Sequence, residues 1–142
     1  MKKYRFLEDV ALADIAYEAY GKDLNELFEN AAMAIFELSA EVKTIEAKQK
    51  FEINLKNEKI DRLLYDFLSE ILFIKDAKYV VFNNVKVKIK EGKEFELYAV
   101  LEGDSINSET QHLENDIKAV TMHMFEVKTH DNGWKATVVV DI

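Results

Sequence analysis

Two aspartates stand where carboxylates are unusual, at the edges of apolar segments. Asp14 interrupts the apolar residues 10–16, and Asp141 ends the apolar residues 137–140, next to the terminal carboxylate of Ile142. Asp is depleted in β-strands, and burial of its charge is unfavourable unless a partner or a metal ion compensates. If Asp14 lies on a strand beside Asp141, three carboxylates converge into a site for calcium, magnesium or manganese. The alternative is that each aspartate ends its strand in water.

The remaining reactive side chains do not indicate an enzyme. The sequence contains no Cys, which excludes a thiolate nucleophile and a metal site built on Cys ligands. It also lacks the glycine spacing of a phosphate-binding loop. His123 falls in a predicted strand, where a histidine is more often a structural hydrogen-bonding group than a base. No general base or nucleophile accompanies the carboxylates, which disfavours a metal-dependent hydrolase.

The charge balance favours a basic partner or a cation. Nineteen Lys and Arg residues against 27 Asp and Glu give a net charge of −8. Nucleic-acid binding requires a basic surface, so strong direct binding to RNA or DNA is not expected. No apolar stretch approaches 18 residues and none follows the basic N-terminus, so we expect neither a membrane span nor a signal peptide. The cytoplasm is the expected location.

The elements that must position the carboxylates alternate between strand and helix. Residues 4–20 show a period of two and predict a strand that ends in the turn at residues 21–23. Asp23, followed by Glu26, predicts the start of a helix with an apolar face over residues 24–36. A second strand is predicted over residues 48–55. Asn57 is then the expected cap of a second amphipathic helix, whose apolar stripe runs over residues 60–72.

The rest of the chain predicts a run of hairpin-linked strands. They cover residues 79–82, 85–90, 95–102, 118–128 and 134–142. The sequence Asp131-Asn132-Gly133 is a strong hairpin signal, whereas residues 102–117 predict a polar loop that is functional, mobile or simply solvated. The expected fold class is α+β: a single domain, residues 1–142, with two amphipathic helices packed on one face of a mainly antiparallel or mixed sheet.

Several blocks of the sequence together resemble the archease family. They are Tyr4-Arg5-Phe6-Leu7-Glu8, Ala13-Asp14-Ile15, Glu18-Ala19-Tyr20-Gly21-Lys22-Asp23-Leu24, Leu63-Leu64-Tyr65-Asp66-Phe67-Leu68, Lys118-Ala119-Val120-Thr121-Met122-His123 and Val140-Asp141-Ile142. The block ending in His123 resembles the family's Val-Lys-Ala-x-Thr-x-His signature. The resemblance extends over nearly the whole chain.

This resemblance implies an accessory protein of tRNA splicing and RNA repair rather than an enzyme. Archeases assist the RtcB-type RNA ligase by promoting its guanylylation by GTP and thereby its multiple turnover. They are small α+β domains that hold a divalent cation, typically calcium. Carried over to this sequence, the cation site falls on Asp14, Asp141 and Ile142, the groups already noted for their positions. Lys118 and His123 are candidate contacts with the ligase.

One segment departs from the family pattern. Family members commonly read His-Thr-Ala-Asp before the first helix, and residues 9–14 stand in that place here. Either Asp9 occupies the position of the family's His, with two extra residues after it, or that His is absent. The alternative function is a chaperone-like modulator of a tRNA-modifying methyltransferase, in which the metal is purely structural.

Overall fold

The computed structural model describes residues 3–7 and 14–142. In these ranges the elements follow in the order β1 (Tyr4–Leu7), β2 (Asp14–Gly21), α1 (Leu24–Ser39), a short 3-10 helix (Val42–Thr44), β3 (Gln49–Asn57), α2 (Ile60–Lys78), β4 (Val80–Lys90), β5 (Phe95–Ser105), β6 (Ala119–His130) and β7 (Gly133–Asp141).

The strands form two sheets, where a single sheet was predicted. Their orders are β1-β2-β7-β6 and β3-β5-β4, and all the pairings between described strands are antiparallel. Helix α1 contacts β2 and β4, and α2 contacts β3 and β6, so each helix packs against both sheets. The α+β class with two helices is confirmed. The arrangement on one face of one sheet is wrong, because most of the residues of α1 are buried and need more than one surface to cover them.

Three predicted element boundaries are also corrected. The segment 4–20 is not one strand: β1 and β2 are antiparallel partners, with Phe6 opposite Tyr17. Asn57 does not cap α2; its Oδ1 accepts a hydrogen bond from the Lys59 backbone N–H at 3.0 Å, and Lys59 is the helix N-cap. The two strands predicted over residues 79–90 are one strand, β4, which continues through a register shift between Phe82 and Asn84.

Both ends of α1 are held by polar groups. At its start, Asp23 Oδ1 accepts from the Glu26 backbone N–H at 2.9 Å, as the capping sequence predicts. At its end, the backbone N–H groups of Asn115 and Glu114 donate to the carbonyls of Leu38 and Ser39 at 3.0 and 2.9 Å. These carbonyls have no partner within the helix. The polar segment predicted over residues 102–117 therefore acts in part as the cap of a buried helix end.

Helix α1 also covers the free edge of β4. Glu29 Oε2 accepts from the Val87 backbone N–H at 2.9 Å, and Asn25 Oδ1 accepts from that of Ile89 at 2.8 Å. An edge strand presents unpaired N–H groups that can recruit another chain, and these side chains satisfy two of them.

The core joins both helices and both sheets. Phe28 of α1 stacks on Phe67 of α2 with ring centroids 5.8 Å apart, and Phe36 of α1 contacts Phe82 of β4 at 5.3 Å. Neither described helix is long and apolar enough to cross a membrane.

Candidate metal centre

The register of β2 and β7 places Asp14 directly opposite Asp141. Asp141 in turn pairs with Ala119 of β6, so the three residues form one row across the sheet. Directly opposed residues of antiparallel strands point to the same face, with Cβ atoms about 4.5–5.5 Å apart. The two aspartates predicted from the sequence to act together are thus neighbours.

This row lies on the face of the sheet that points away from the helices. Ile15, Tyr17 and Ala19 of β2 pack into the core, so the alternate residues, beginning with Asp14, point outward. Asp14 and Asp141 are both partly buried, and the side chain of Ile142 packs against the core. That packing holds the end of the chain beside Asp141.

The chemistry of this row fits a hard cation. Two like charges directly opposite each other destabilise a sheet, and none of the ion pairs within the described ranges includes either aspartate. A cation bound between the carboxylates would remove that repulsion with the oxygen ligands that calcium and magnesium prefer. Residues 3–7 and 14–142 contain no group of three or more His, Asp or Glu side chains arranged to hold a metal.

Both candidate contact residues, Lys118 and His123, have exposed side chains. The backbone N–H of Lys118 donates to the Asp141 carbonyl at 2.8 Å, and the Lys118 side chain is exposed. His123 is exposed too, in a bulge where β6 loses register with β7 between Thr121 and Glu126. His123 lies in β6, where a strand was predicted, and Met124 beside it has a positive φ of 54°. Whether His123 contacts a partner or only forms structural hydrogen bonds stays a prediction. Asp9 lies outside the described residues.

Sequence reasoning missed a buried charge cluster on the same face of the sheet. Glu18, only 8% exposed, accepts hydrogen bonds from Arg5 Nε at 2.6 Å and Tyr20 Oη at 2.8 Å, and its Oε2 lies 3.0 Å from Lys135 Nζ. Four residues along β2, it lies about 13 Å from Asp14. Glu18 shares the strand alternation of Asp14, but no local pattern shows its charged partners, because Arg5 and Lys135 come from two other strands.

The electrostatics of Glu18 favour the ionised form of its carboxylate. Burial alone would raise the pKa of its carboxyl, but the hydrogen bonds from Tyr20, Lys135 and Arg5 outweigh burial and lower the pKa from 4.5 to about 2. Glu18 is thus a carboxylate stabilised by its protein partners, whereas Asp14 and Asp141 form no ion pair with the described residues. The two sites on this face therefore have different roles, one structural and one suited to a ligand.

The fold agrees with comparisons to known proteins. Residues 4–142 match the Archease protein family (MTH1598/TM1083). Protein archease of Methanothermobacter thermautotrophicus is 38% identical over the full length of both chains, and that of Pyrococcus abyssi is 35% identical, also over the full length of both. The chain belongs to the archease family.

Two solved structures support the same assignment of the fold. The solution structure of protein 1598 of Methanobacterium thermoautotrophicum is 36% identical, with a TM-score of 0.83 and full coverage of both chains. The crystal structure of a Thermotoga maritima protein, described as an archease and possible chaperone, has a TM-score of 0.65 over 97% of this chain and 98% of that one. Its identity of 21% shows a shared fold only.

Proposed function

We propose that this protein is a non-catalytic activator of the RtcB-type RNA ligase in tRNA splicing and RNA repair. It would promote the GTP-dependent guanylylation of the ligase and so its multiple turnover. The observation that supports this most directly is the pairing of Asp14 with Asp141 at the outer face of the sheet. Membership of the archease family supports the same activity.

In this proposal the chain holds a divalent cation and presents it to the ligase. Asp14, Asp141 and the terminal carboxylate of Ile142 would bind calcium, with magnesium or manganese as alternatives. When bound, the cation supplies positive charge beside the triphosphate of GTP while the ligase histidine bonds to the α-phosphate and pyrophosphate leaves. The sheet keeps the two aspartates in register. Lys118 and His123 would contact the ligase, which is supported by the exposure of both side chains.

The net charge of −8 supports binding to a protein partner rather than to RNA. Phosphate groups would be repelled by this surface, so we propose that RNA specificity belongs to the ligase. The cytoplasm is the proposed location of this activity.

A ligation assay with RNA in excess over ligase tests the proposal. Asp14→Asn and Asp141→Asn keep the size of each side chain and remove its charge, so the fold is retained and turnover beyond the first cycle is lost. Asp131→Asn is the matched control, because Asp131 lies in a turn at a positive φ of 46° that Asn adopts readily. Full turnover with both site variants would contradict the proposal.

Calorimetric titration with calcium tests the metal itself. We expect the wild-type protein to bind calcium and either Asn variant to bind it at least about tenfold more weakly. Extension of the chain by Gly-Gly after Ile142 moves the terminal carboxylate and tests its part in the site. If a chelator lowers the unfolding temperature while ligase binding and turnover persist, the metal is structural. That result would favour the chaperone-like modulator of a tRNA methyltransferase.

A further inference from the structure

A cleft of about 390 Å³ opens between the end of α2, the start of β4 and the segment before β6. Its apolar lining comes from Tyr79, Val81, Ile106 and Leu113. This volume lies within the range of about 300–1,000 Å³ found for ligand sites. Tyr79 is 67% exposed and Leu113 is 37% exposed, so the cleft has an apolar rim as well as an apolar floor.

The backbone of Tyr79 adopts an unusual conformation at this rim and is held there by hydrogen bonds. It is the C-cap of α2 and has a left-handed backbone, with φ of 56°, at a position that usually carries Gly or Asn. Its backbone N–H donates to the Lys75 carbonyl, and its own carbonyl accepts from the Ile106 N–H at 3.0 Å. An exposed aromatic ring beside an apolar cleft is a typical anchor of an interface.

The polar groups of the cleft carry an excess of negative charge. Lys75, buried with 8% of its side chain exposed, lies 2.9 Å from Asp76 and 3.2 Å from Asp116. Glu114 is a third carboxylate in the lining, 3.6 Å from His112. The three acidic side chains are 61%, 82% and 45% exposed, so their free oxygens reach solvent. Three carboxylates against one lysine make this cleft electrostatically complementary to a positively charged group.

The cleft continues along α2 to the start of β6. A second cleft of about 250 Å³ shares Asp76 with the first and adds Phe73 and Lys118 to the lining. Phe73 is 65% exposed, and the Lys118 backbone N–H lies 2.8 Å from the Asp141 carbonyl. The surface from Tyr79 to Lys118, called here the α2 groove, therefore ends at the start of β6, whose backbone adjoins that of Asp141, while the aspartate side chains point to the other face of the sheet.

We infer that the α2 groove binds an arginine-bearing, otherwise apolar segment of the ligase. This inference rests on the proposed function and names the surface that performs it. A guanidinium group can lie on the face of a Tyr ring and donate two hydrogen bonds to a carboxylate, which an ammonium group does less well. Tyr79, Asp116 and Glu114 line the same cleft. Apolar neighbours of the arginine then cover Leu113 and Phe73.

Affinity for the purified ligase, measured for matched variants of the full chain, tests this inference. Tyr79→Asn removes the ring and suits the left-handed backbone, so the variant folds normally and its Kd rises by about tenfold or more. Glu114→Gln weakens binding and reduces its dependence on salt concentration. The controls are Tyr98→Thr and Glu52→Gln, which change an exposed tyrosine of β5 and its carboxylate partner on β3, neither of which lines the two clefts.

The outcomes separate this inference from the proposed function. Weaker binding by the groove variants, with unchanged controls, supports the α2 groove. If both groove variants bind and activate the ligase as the wild type does, the groove inference is overturned while the activator function stands. If the wild-type protein neither binds nor activates the ligase, both are overturned.

Discussion

The charge cluster around Glu18 gives the most quantitative prediction. The difference between its ordinary pKa of 4.5 and its value of about 2 in the folded protein corresponds to about 3 kcal/mol of stability, at 1.36 kcal/mol per pKa unit. The pKa is lowered by folding, so this contribution is fully present above pH 4.5 and is lost as the pH falls through about 2. Because Arg5 is 56% exposed and its pairing is screened by water, about 3 kcal/mol is an upper value.

The substitution Glu18→Gln tests this contribution. We expect it to lower the free energy of unfolding by about 2–3 kcal/mol at pH 6, since Lys135, only 19% exposed, loses its anionic partner. Urea denaturation followed by the fluorescence of Trp134 measures the effect without adding salt. The difference between wild type and variant should shrink toward zero between pH 5 and pH 2.

A matched control and a clear contrary result accompany this experiment. Glu52→Gln changes an exposed glutamate that accepts a hydrogen bond from Tyr98, and its effect should stay within about 0.5 kcal/mol. A difference between wild type and Glu18→Gln that stays constant from pH 6 to pH 2 would refute the reasoning, because the loss would then come from packing rather than from the ionised carboxylate.

Two further substitutions test the second sheet, each by urea denaturation. Glu29→Ala leaves the buried N–H of Val87 without its acceptor and should cost about 1–3 kcal/mol, whereas Glu29→Gln keeps an acceptor and should cost less. Gly103→Ala would place its Cβ against the Val81 carbonyl oxygen and should cost about 1–3 kcal/mol. Gly92→Ala, whose nearest contact is 3.7 Å away, is the neutral control. Equal stability of the two alanine variants at residues 92 and 103 would contradict the packing argument.

The two aspartates of the candidate metal centre could be singled out from the sequence. Asp14 and Asp141 each break an apolar pattern, and a carboxylate in that context requires an explanation wherever the strands lie. The pattern could not show that the two strands are neighbours. The register of β2 and β7 shows it, and this register joins residues that lie at opposite ends of the sequence.

The Glu18 cluster and the α2 groove were beyond prediction from the sequence. Glu18 reads as an ordinary outward-facing strand residue, and its partners Arg5 and Lys135 lie on two other strands. Tyr79 reads as the first residue of a strand, yet it caps α2 in a left-handed conformation. Each site depends on long-range neighbours that no local pattern contains.

The sequence by itself determined the helices, the hairpin at residues 131–133 and the α+β class, because these depend on periodicity, capping and turn residues that act within a few positions. The hairpin turn, for example, has positive φ angles at Asp131 and Asn132 followed by Gly133. Only the tertiary structure decided that the strands divide into two sheets. Helix α1 lies between β2 and the edge of β4. Its Glu29 and Asn25 side chains accept hydrogen bonds from the backbone of that edge strand, and the apolar side chains of α1 enter the core. Such a division depends on which surfaces a buried helix must cover at once, and that is a property of packing rather than of any segment.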